Sequence, residues 1–366
     1  MSDPIVIRKL PPVWFIHFIS SFRSLLLRIY RGTFPASIVL YERFTNFWVL
    51  AAIRVAAELD IAGILKSGPL TVEQLAQRTG SDPQALFRLM RALSSENIFK
   101  RTKDGLYRNT KHSLVLTDGK GSLRFTLMQH LGTVNWTVFN ELSYSIKTGK
   151  SAFSKVYGMK IYDYLAEHPL ESALFDRSMT NLSEISIEPV LSAVDFNSYP
   201  VIADIGGGEG LLLSSILYKS TNSKGILFDL PEGMNHPEII FERFGITNRM
   251  QVVPGSFFTT APAGADVYLL KNIIHNWSNE ECITILKNIR NVMPVHGKIM
   301  IIEMILDEDN TSSFGKLIDL QMMVFMEAGK ERTRKEFESL LDNAGLRIQR
   351  IIPTIAPISI IEAVIK

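Results

Sequence analysis

A single cysteine, Cys282, stands in a chain of 366 residues, so no internal disulfide framework holds it together. Charge of one sign is lacking as well: 39 basic against 37 acidic side chains leave a formal net charge of +2. No global field therefore favours nucleic acid or repels anionic lipid. The first half of the chain has no internal repeats and no low-complexity stretches. An uninterrupted run of ~20 apolar residues, the length needed to cross a bilayer, is also missing. The apolar opening, MSDPIVIRKLPPVWFIHFISSFRSLLLRIYRG, is broken by His17, Arg23 and Arg28. It has no small-residue cleavage site behind a compact apolar core, which argues against a signal peptide, and a cytoplasmic protein is expected.

What is present is a globular composition, 46% hydrophobic and 21% charged, in a chain long enough for two or three domains and a sizeable core. Val13 to Tyr30 reads as an amphipathic helix with Arg23, Arg28 and Arg31 on or near one side. Packing of residues 1–35 as an arm on a partner subunit is the first reading, and weak adsorption to a membrane surface is the second. From Ile38 to Leu65 apolar residues keep helical spacing with few breakers, which predicts a buried helix.

Next, Thr71 with Gln74 forms a capping-box pattern, Gly80 ends that helix, and Asp82 with Pro83 opens another. The stretch IFKRTKDGLYRNT then sets an Asp-Gly turn between two short strand-like runs. Helix, turn, helix and hairpin make a winged-helix pattern over residues 36–120. Although Arg88 and Arg91 lie on its second helix, ALFRLMRAL is apolar on more than one face. Few polar side chains are left to read base edges, so a dimerisation or substrate-lid module is expected and nucleic acid is not. Residues 121–199 stay helical and aromatic, with Trp136, Phe139, Phe153, Tyr157, Tyr162, Tyr164 and Phe175 serving as core or lining a pocket for a flat ligand.

After Pro200 the texture changes. PVIADIGG, KGILFDLP, RMQVVPGSFF, ADVYLLKNIIH and GKIMIIEMIL are short apolar runs separated by helical segments. Alternation of this kind predicts an α/β domain, residues 200–366, with a mostly parallel sheet covered on both faces. Ligands of such sheets bind outside the carboxyl ends of the strands. Four ionisable residues are expected at successive strand ends: Asp204, Asp229, His275 and Glu303.

Asp204 precedes Gly206, Gly207, Gly208 and Gly210, a strand-to-helix turn on which a ligand can lie directly against backbone. The dinucleotide pattern G-x-G-x-x-G would need glycine at 211, where Leu211 stands. Asp229, 23 residues after Gly206, can accept hydrogen bonds from both hydroxyls of a ribose. A nucleoside cofactor follows, with or without phosphates. Strand alternation would set Lys271, Ile273 and His275 on one side, and Ser278 with Glu281 has capping-box spacing, which puts His275 at the rim of the crevice.

At this point the chain resembles a family, the S-adenosylmethionine-dependent small-molecule O-methyltransferases of the caffeic acid, acetylserotonin and bacterial polyketide type. The resemblance runs through LTVEQLAQRTGSDPQALFRLMRAL, TGKSAFSKVYGMKIYDYLAEHP, ADIGGGEG, FDLP, LKNIIHNWSNEEC, IIEMIL and EAGKERTRKEFESLLDNAGL, nearly the whole chain. It implies a winged-helix dimerisation domain, a Rossmann-like catalytic domain and a homodimer. Carried over by residue, it puts Asp204, Gly206 and Gly208 at the methionine part of S-adenosylmethionine and Asp229 with Leu230 at the ribose. Ser256, Phe257 and Lys271 fall at the adenine. It implies that His275 is the general base flanked by Glu303 and Glu331. Met322 and Met326 in DLQMMVFMEAG, with Met179 and Trp277, are expected to meet the acceptor, the alternative for the methionines being ordinary core. Two positions depart from the pattern. Ser256 stands where many members have aspartate, and Asn276 replaces an aspartate beside His275, which would lower the basicity of the imidazole.

Methyl transfer needs alignment of acceptor oxygen, methyl carbon and sulfur, and removal of the acceptor's proton. No tight His/Cys/Asp cluster in the sequence suggests a metal, and none is expected. The acceptor is expected to be a small, flat or apolar hydroxylated compound, phenolic and of secondary-metabolite type. The alternatives are N- or C-methylation on the same fold, or a non-methylating relative that binds the same cofactor.

Overall fold

The computed structural model describes residues 11–234, 236–309 and 313–366, and of His17 the backbone alone. The chain forms two compact units. One comprises Ser21–Asn140 with Tyr162–Ile185; the other comprises Glu141–Ile161 and Ser186–Lys366, together with the chain up to Ser20.

In the first unit the winged-helix pattern appears as read. Thr71 and Gln74 close a reciprocal capping box on helix Val72–Thr79, and Gly80 ends it in the left-handed conformation, φ 66°. Asp82 accepts from the Ala85 amide to start helix Pro83–Ser95. Strands β1 (Phe99–Arg101) and β2 (Tyr107–Asn109) pair antiparallel across the Asp104-Gly105 turn. Leu75, Met90, Leu93, Phe99 and Tyr107 form the buried centre of this unit.

The buried helix expected over Ile38–Leu65 requires correction. The helix runs Ala36–Glu58, and Asp60, at φ 50°, separates it from the short helix Ile61–Ile64. Only Ala56 and Ala57 of the longer helix are buried. Leu40, Tyr41, Phe44 and Trp48 are each more than half exposed. Helical spacing identifies an apolar face, but it does not say that the same chain covers that face.

In the second unit the strands are β3 (Val201–Ile205), β4 (Lys224–Asp229), β5 (Met250–Pro254), β6 (Val267–Lys271), β7 (Lys298–Leu306), β8 (Arg332–Thr333), β9 (Leu346–Pro353) and β10 (Ile358–Ile365). Their order in the sheet is β5-β4-β3-β6-β7-β10-β9, with β8 beside the end of β7. The pairs from β5 to β7 are parallel, whereas β10 runs antiparallel to β7 and β9. Sequence reading missed β9 and β10, which close one edge as an antiparallel pair. Their polar residues, such as Arg347, Gln349 and Arg350, interrupt the apolar runs that marked the other strands.

Alternate residues of β6 serve opposite layers. Tyr268 and Leu270 pack with Cys282, Ile285 and Ile289 of helix Asn279–Val292, while Val267 and Leu269 pack with Leu213, Ile216 and Leu217 of helix Leu211–Lys219. Cover on both faces explains the near-continuous apolar runs. The strand order reverses at β3, so the crevice for a ligand opens where β3 and β6 end side by side.

Candidate active site

At the end of β3 the chain turns through Gly206, Gly208 and Gly210, all left-handed, with φ 70°, 57° and 79°. A Cβ at Gly206 would meet Ile273 Cδ1 at 2.5 Å, so tight packing requires glycine there. A Cβ at Gly208 would instead project into open space, its nearest neighbour being the Gly233 carbonyl at 4.0 Å. Glycine at 208 thus keeps a cradle clear, in which a ligand can lie against backbone. Asp229, the last residue of β4, borders it: its carboxylate accepts from the Gly208 amide at 2.8 Å and from the Leu230 amide at 2.7 Å. Each oxygen keeps a further lone pair, the capacity that two ribose hydroxyls require.

Asp204 lies beneath this turn and is 2% exposed. Burial pushes its carboxyl up to about 7; the neighbouring Lys271 counters this and Asp229 adds to it. Burial likewise lowers the Lys271 ammonium to about 8, opposed by Asp204. Lys271 ends β6 one strand away, and the two form a charge couple at the floor of the crevice. On the far side Phe257 approaches the Gly206 turn and packs edge-on with Phe258 and Trp277, ring centroids 4.9 and 6.0 Å away. Ser256 accepts from the Phe258 amide through Oγ at 3.3 Å, bending the chain that carries Phe257.

The second half of the site is built around His275. Strand β6 stops at Lys271, and Asn272 takes φ 55°, so strand alternation does not carry on to His275 as expected. The chain instead enters a single 3₁₀ turn, Ile274–Asn276, before the capping box of Ser278 and Glu281 starts the next helix. Glu303 is similarly inside β7 and not at its end. Its Oε1 accepts from the His275 backbone amide at 3.1 Å. Glu331, just before β8, meets His275 Nδ1 through Oε1 at 2.9 Å. Because β8 lies beside β7, the two acids reach the histidine from adjacent strands.

Both glutamates are buried, and the histidine side chain is 13% exposed. Burial works against a charged ring, but the Glu331 hydrogen bond and the charges of Glu303 and Glu331 outweigh it, with Lys271 opposing them. The net result holds the His275 pKa above the ordinary imidazole value. The Asn276 side chain turns back to donate to the Asn272 carbonyl at 3.1 Å. Burial is also the first cause that raises the Glu303 carboxyl, with His275 countering it. The fold brings one donor atom each from His275, Glu303 and Glu331 within 4.8 Å of one another, a convergence that sequence spacing did not display.

Arg332 was not singled out in the sequence. It is fully buried, and its guanidinium donates to the carbonyls of Ile274 and Trp277, each at 2.8 Å, and to Asn279 Oδ1 at 3.1 Å. These acceptors bracket His275 on both sides along the chain. Asp319 was missed as well; its carboxylate accepts from the Glu331 amide at 2.9 Å. The signal available for Arg332 was its place directly after Glu331 in GKERT.

Among the residues expected at the acceptor, Met326 caps helix Phe314–Phe325, and Gly329 packs between it and the His275 carbonyl: a Cβ there would lie 2.6 Å from Met326 Cβ and 2.9 Å from that oxygen. Met322, one turn earlier, is buried at 7% exposure. Trp277 stands with Phe257 and Phe258 on the side of the glycine turn. Met179 belongs to the other unit, on helix Pro169–Ala193.

Residues 139–347 match the O-methyltransferase domain family, and residues 41–119 match the O-methyltransferase dimerisation domain. Phenazine O-methyltransferase PhzM of Lysobacter antibioticus is 34% identical over 333 residues, 91% of this chain and 97% of that protein. The 8-amino-8-demethylriboflavin N,N-dimethyltransferase of Streptomyces davaonensis is 29% identical over 319 residues, 86% of this chain and 91% of its own. The crystal structure of human N-acetylserotonin methyltransferase in complex with S-adenosylmethionine superposes with a TM-score of 0.83 at 25% identity, covering 91% of this chain and 98% of that one.

Proposed function

The chain belongs to the O-methyltransferase family, whose members use S-adenosylmethionine, and from that membership we propose that it methylates a phenolic hydroxyl of a small, flat secondary metabolite, with His275 as general base. The observation that carries the assignment is the pairing of His275 Nδ1 with Glu331. A carboxylate only accepts, so the proton sits on Nδ1 and Nε2 keeps a lone pair for an acceptor hydroxyl.

S-adenosylmethionine, when bound, supplies a methyl group on a sulfonium that leaves as a neutral thioether. The Gly206–Gly208 turn would hold it against backbone, with Asp204 beneath, Asp229 and Leu230 at the ribose, and Ser256, Phe257 and Lys271 on the adenine side. His275 Nε2 would take the proton of the acceptor hydroxyl. Glu331 and Glu303 then stabilise the imidazolium. A phenol has a pKa of about 10 and a histidine about 6.5, so raising the histidine narrows the gap that proton transfer must cross. Met326 and Met322 offer adaptable apolar surface on the acceptor side, while Trp277 packs edge-on against Phe257.

The reading includes a cytoplasmic homodimer, supported by the dimerisation-domain match and by the exposed apolar face of helix Ala36–Glu58. The test is a mass-spectrometric screen of hydroxylated aromatics and matching anilines with S-adenosylmethionine. A gain of one methyl on phenols alone supports the proposal; methylation of the anilines alone replaces it with N-methylation.

A further inference from the structure

Helix Val13–Gly32 takes no part in the site, and it precedes both family matches, the first of which begins at residue 41. At ~100° per residue, Trp14, Phe18, Phe22, Leu25, Leu26 and Ile29 fall on one broad face. All six are exposed, Trp14 at 70% and Phe18 at 63%. Ser20, Ser24, Arg28 and Arg31 gather on the opposite side, with Arg23 at the border. Between Asp3 and Glu42 the sequence holds five basic residues, Arg8, Lys9, Arg23, Arg28 and Arg31, and no acidic one. In a chain with a net charge of +2, that is a marked local concentration.

Charge selects the occupant of this face. Five basic residues with no acid among them disfavour self-pairing of two copies of this segment and favour a dense anionic surface. Arg23, near the middle of the helix, argues against a spanning orientation, and among the described residues no helix is long and apolar enough to cross a membrane.

We propose that Val13–Gly32 is an interfacial helix that docks this enzyme on an anionic lipid surface. Its aromatic and leucine face enters the headgroup–acyl boundary, and Arg23, Arg28 and Arg31 meet lipid phosphates.

The experiment is co-sedimentation of the full chain with vesicles of phosphatidylcholine with and without phosphatidylserine, alongside turnover and light scattering in solution. The native chain is expected to pellet with phosphatidylserine-containing vesicles and to release at high salt. Combined Arg23→Gln, Arg28→Gln and Arg31→Gln should weaken partition by about a hundredfold, the product of the electrostatic contributions of three arginines near such a surface. Combined Phe18→Gln and Phe22→Gln should abolish binding even at low salt. Both variants should keep native turnover and native mass in solution. Failure of the native chain to pellet overturns the proposal, as does equal partition of the arginine variant. A fall in mass on either set of substitutions would assign the helix to a second copy of the chain and overturn it too.

Discussion

His275 Nδ1 lies 2.9 Å from a Glu331 carboxylate oxygen, while the backbone amide of the same histidine donates to Glu303 at 3.1 Å. One acid therefore sets the tautomer and the other fixes the position of the loop. Together their charges raise the affinity of the ring for a proton despite its burial.

Replacing the proposed base should separate chemistry from binding. His275→Ala is expected to lower kcat by roughly 10²–10⁴-fold, the range usual for a positioned general base. Its S-adenosylmethionine affinity by calorimetry should stay close to native. Activity within a few-fold of native would leave alignment alone as the mechanism.

The pH profile follows from the sign of the His275 shift. The ring must be neutral to act, so activity should rise with pH through an acidic limb that lies above the ordinary imidazole range. Glu303→Gln removes a charge that favours the imidazolium, so its limb should move to lower pH while the plateau falls. An unmoved limb would show that the profile reports some other group.

Arg332→Met should act on stability and turnover at once. The variant leaves the buried carbonyls of Ile274 and Trp277 without their donor and is expected to cost about 3 kcal/mol or more by denaturant unfolding. Turnover should fall further than S-adenosylmethionine binding, because the unsupported segment carries His275. Arg332→Lys, which keeps the charge but not the fork, should recover stability better than turnover.

Gly208→Ala tests the cradle. Its φ of 57° makes any side chain cost about 1–2 kcal/mol, and the added methyl points into the open space proposed for the cofactor. The KM for S-adenosylmethionine should rise about tenfold or more, with a smaller change in kcat. A loss of stability with native KM would mean that the cofactor lies elsewhere.

Chelation checks the donor triad. Treatment with EDTA followed by gel filtration is expected to leave turnover unchanged, since both carboxylates already serve His275. Activity lost on chelation and restored by zinc would instead make His275, Glu303 and Glu331 a metal site.

Local chemistry determined much of this protein. Capping boxes at Thr71, Ser278 and the helix stop at Gly80 are read from a few consecutive residues, because a helix end is a local hydrogen-bonding problem. The glycine turn at 206–210 and Asp229 were legible for the same reason: left-handed backbone and a strand-end acid have short signatures. Strands β3, β4, β6 and β7 announced themselves by apolar runs covered on both faces.

Only the tertiary structure decided how distant residues meet. Glu303 and Glu331 lie 28 and 56 residues from His275, and β8 beside β7 is what delivers both to one imidazole. The left-handed Asn272, which breaks the alternation, sets the direction in which that imidazole leaves the sheet. Arg332 gains its bracing role solely from the carbonyls that the fold presents to it. The exposure of helix Ala36–Glu58 also escaped the sequence, since helical spacing records that a face is apolar and carries no information about what covers it.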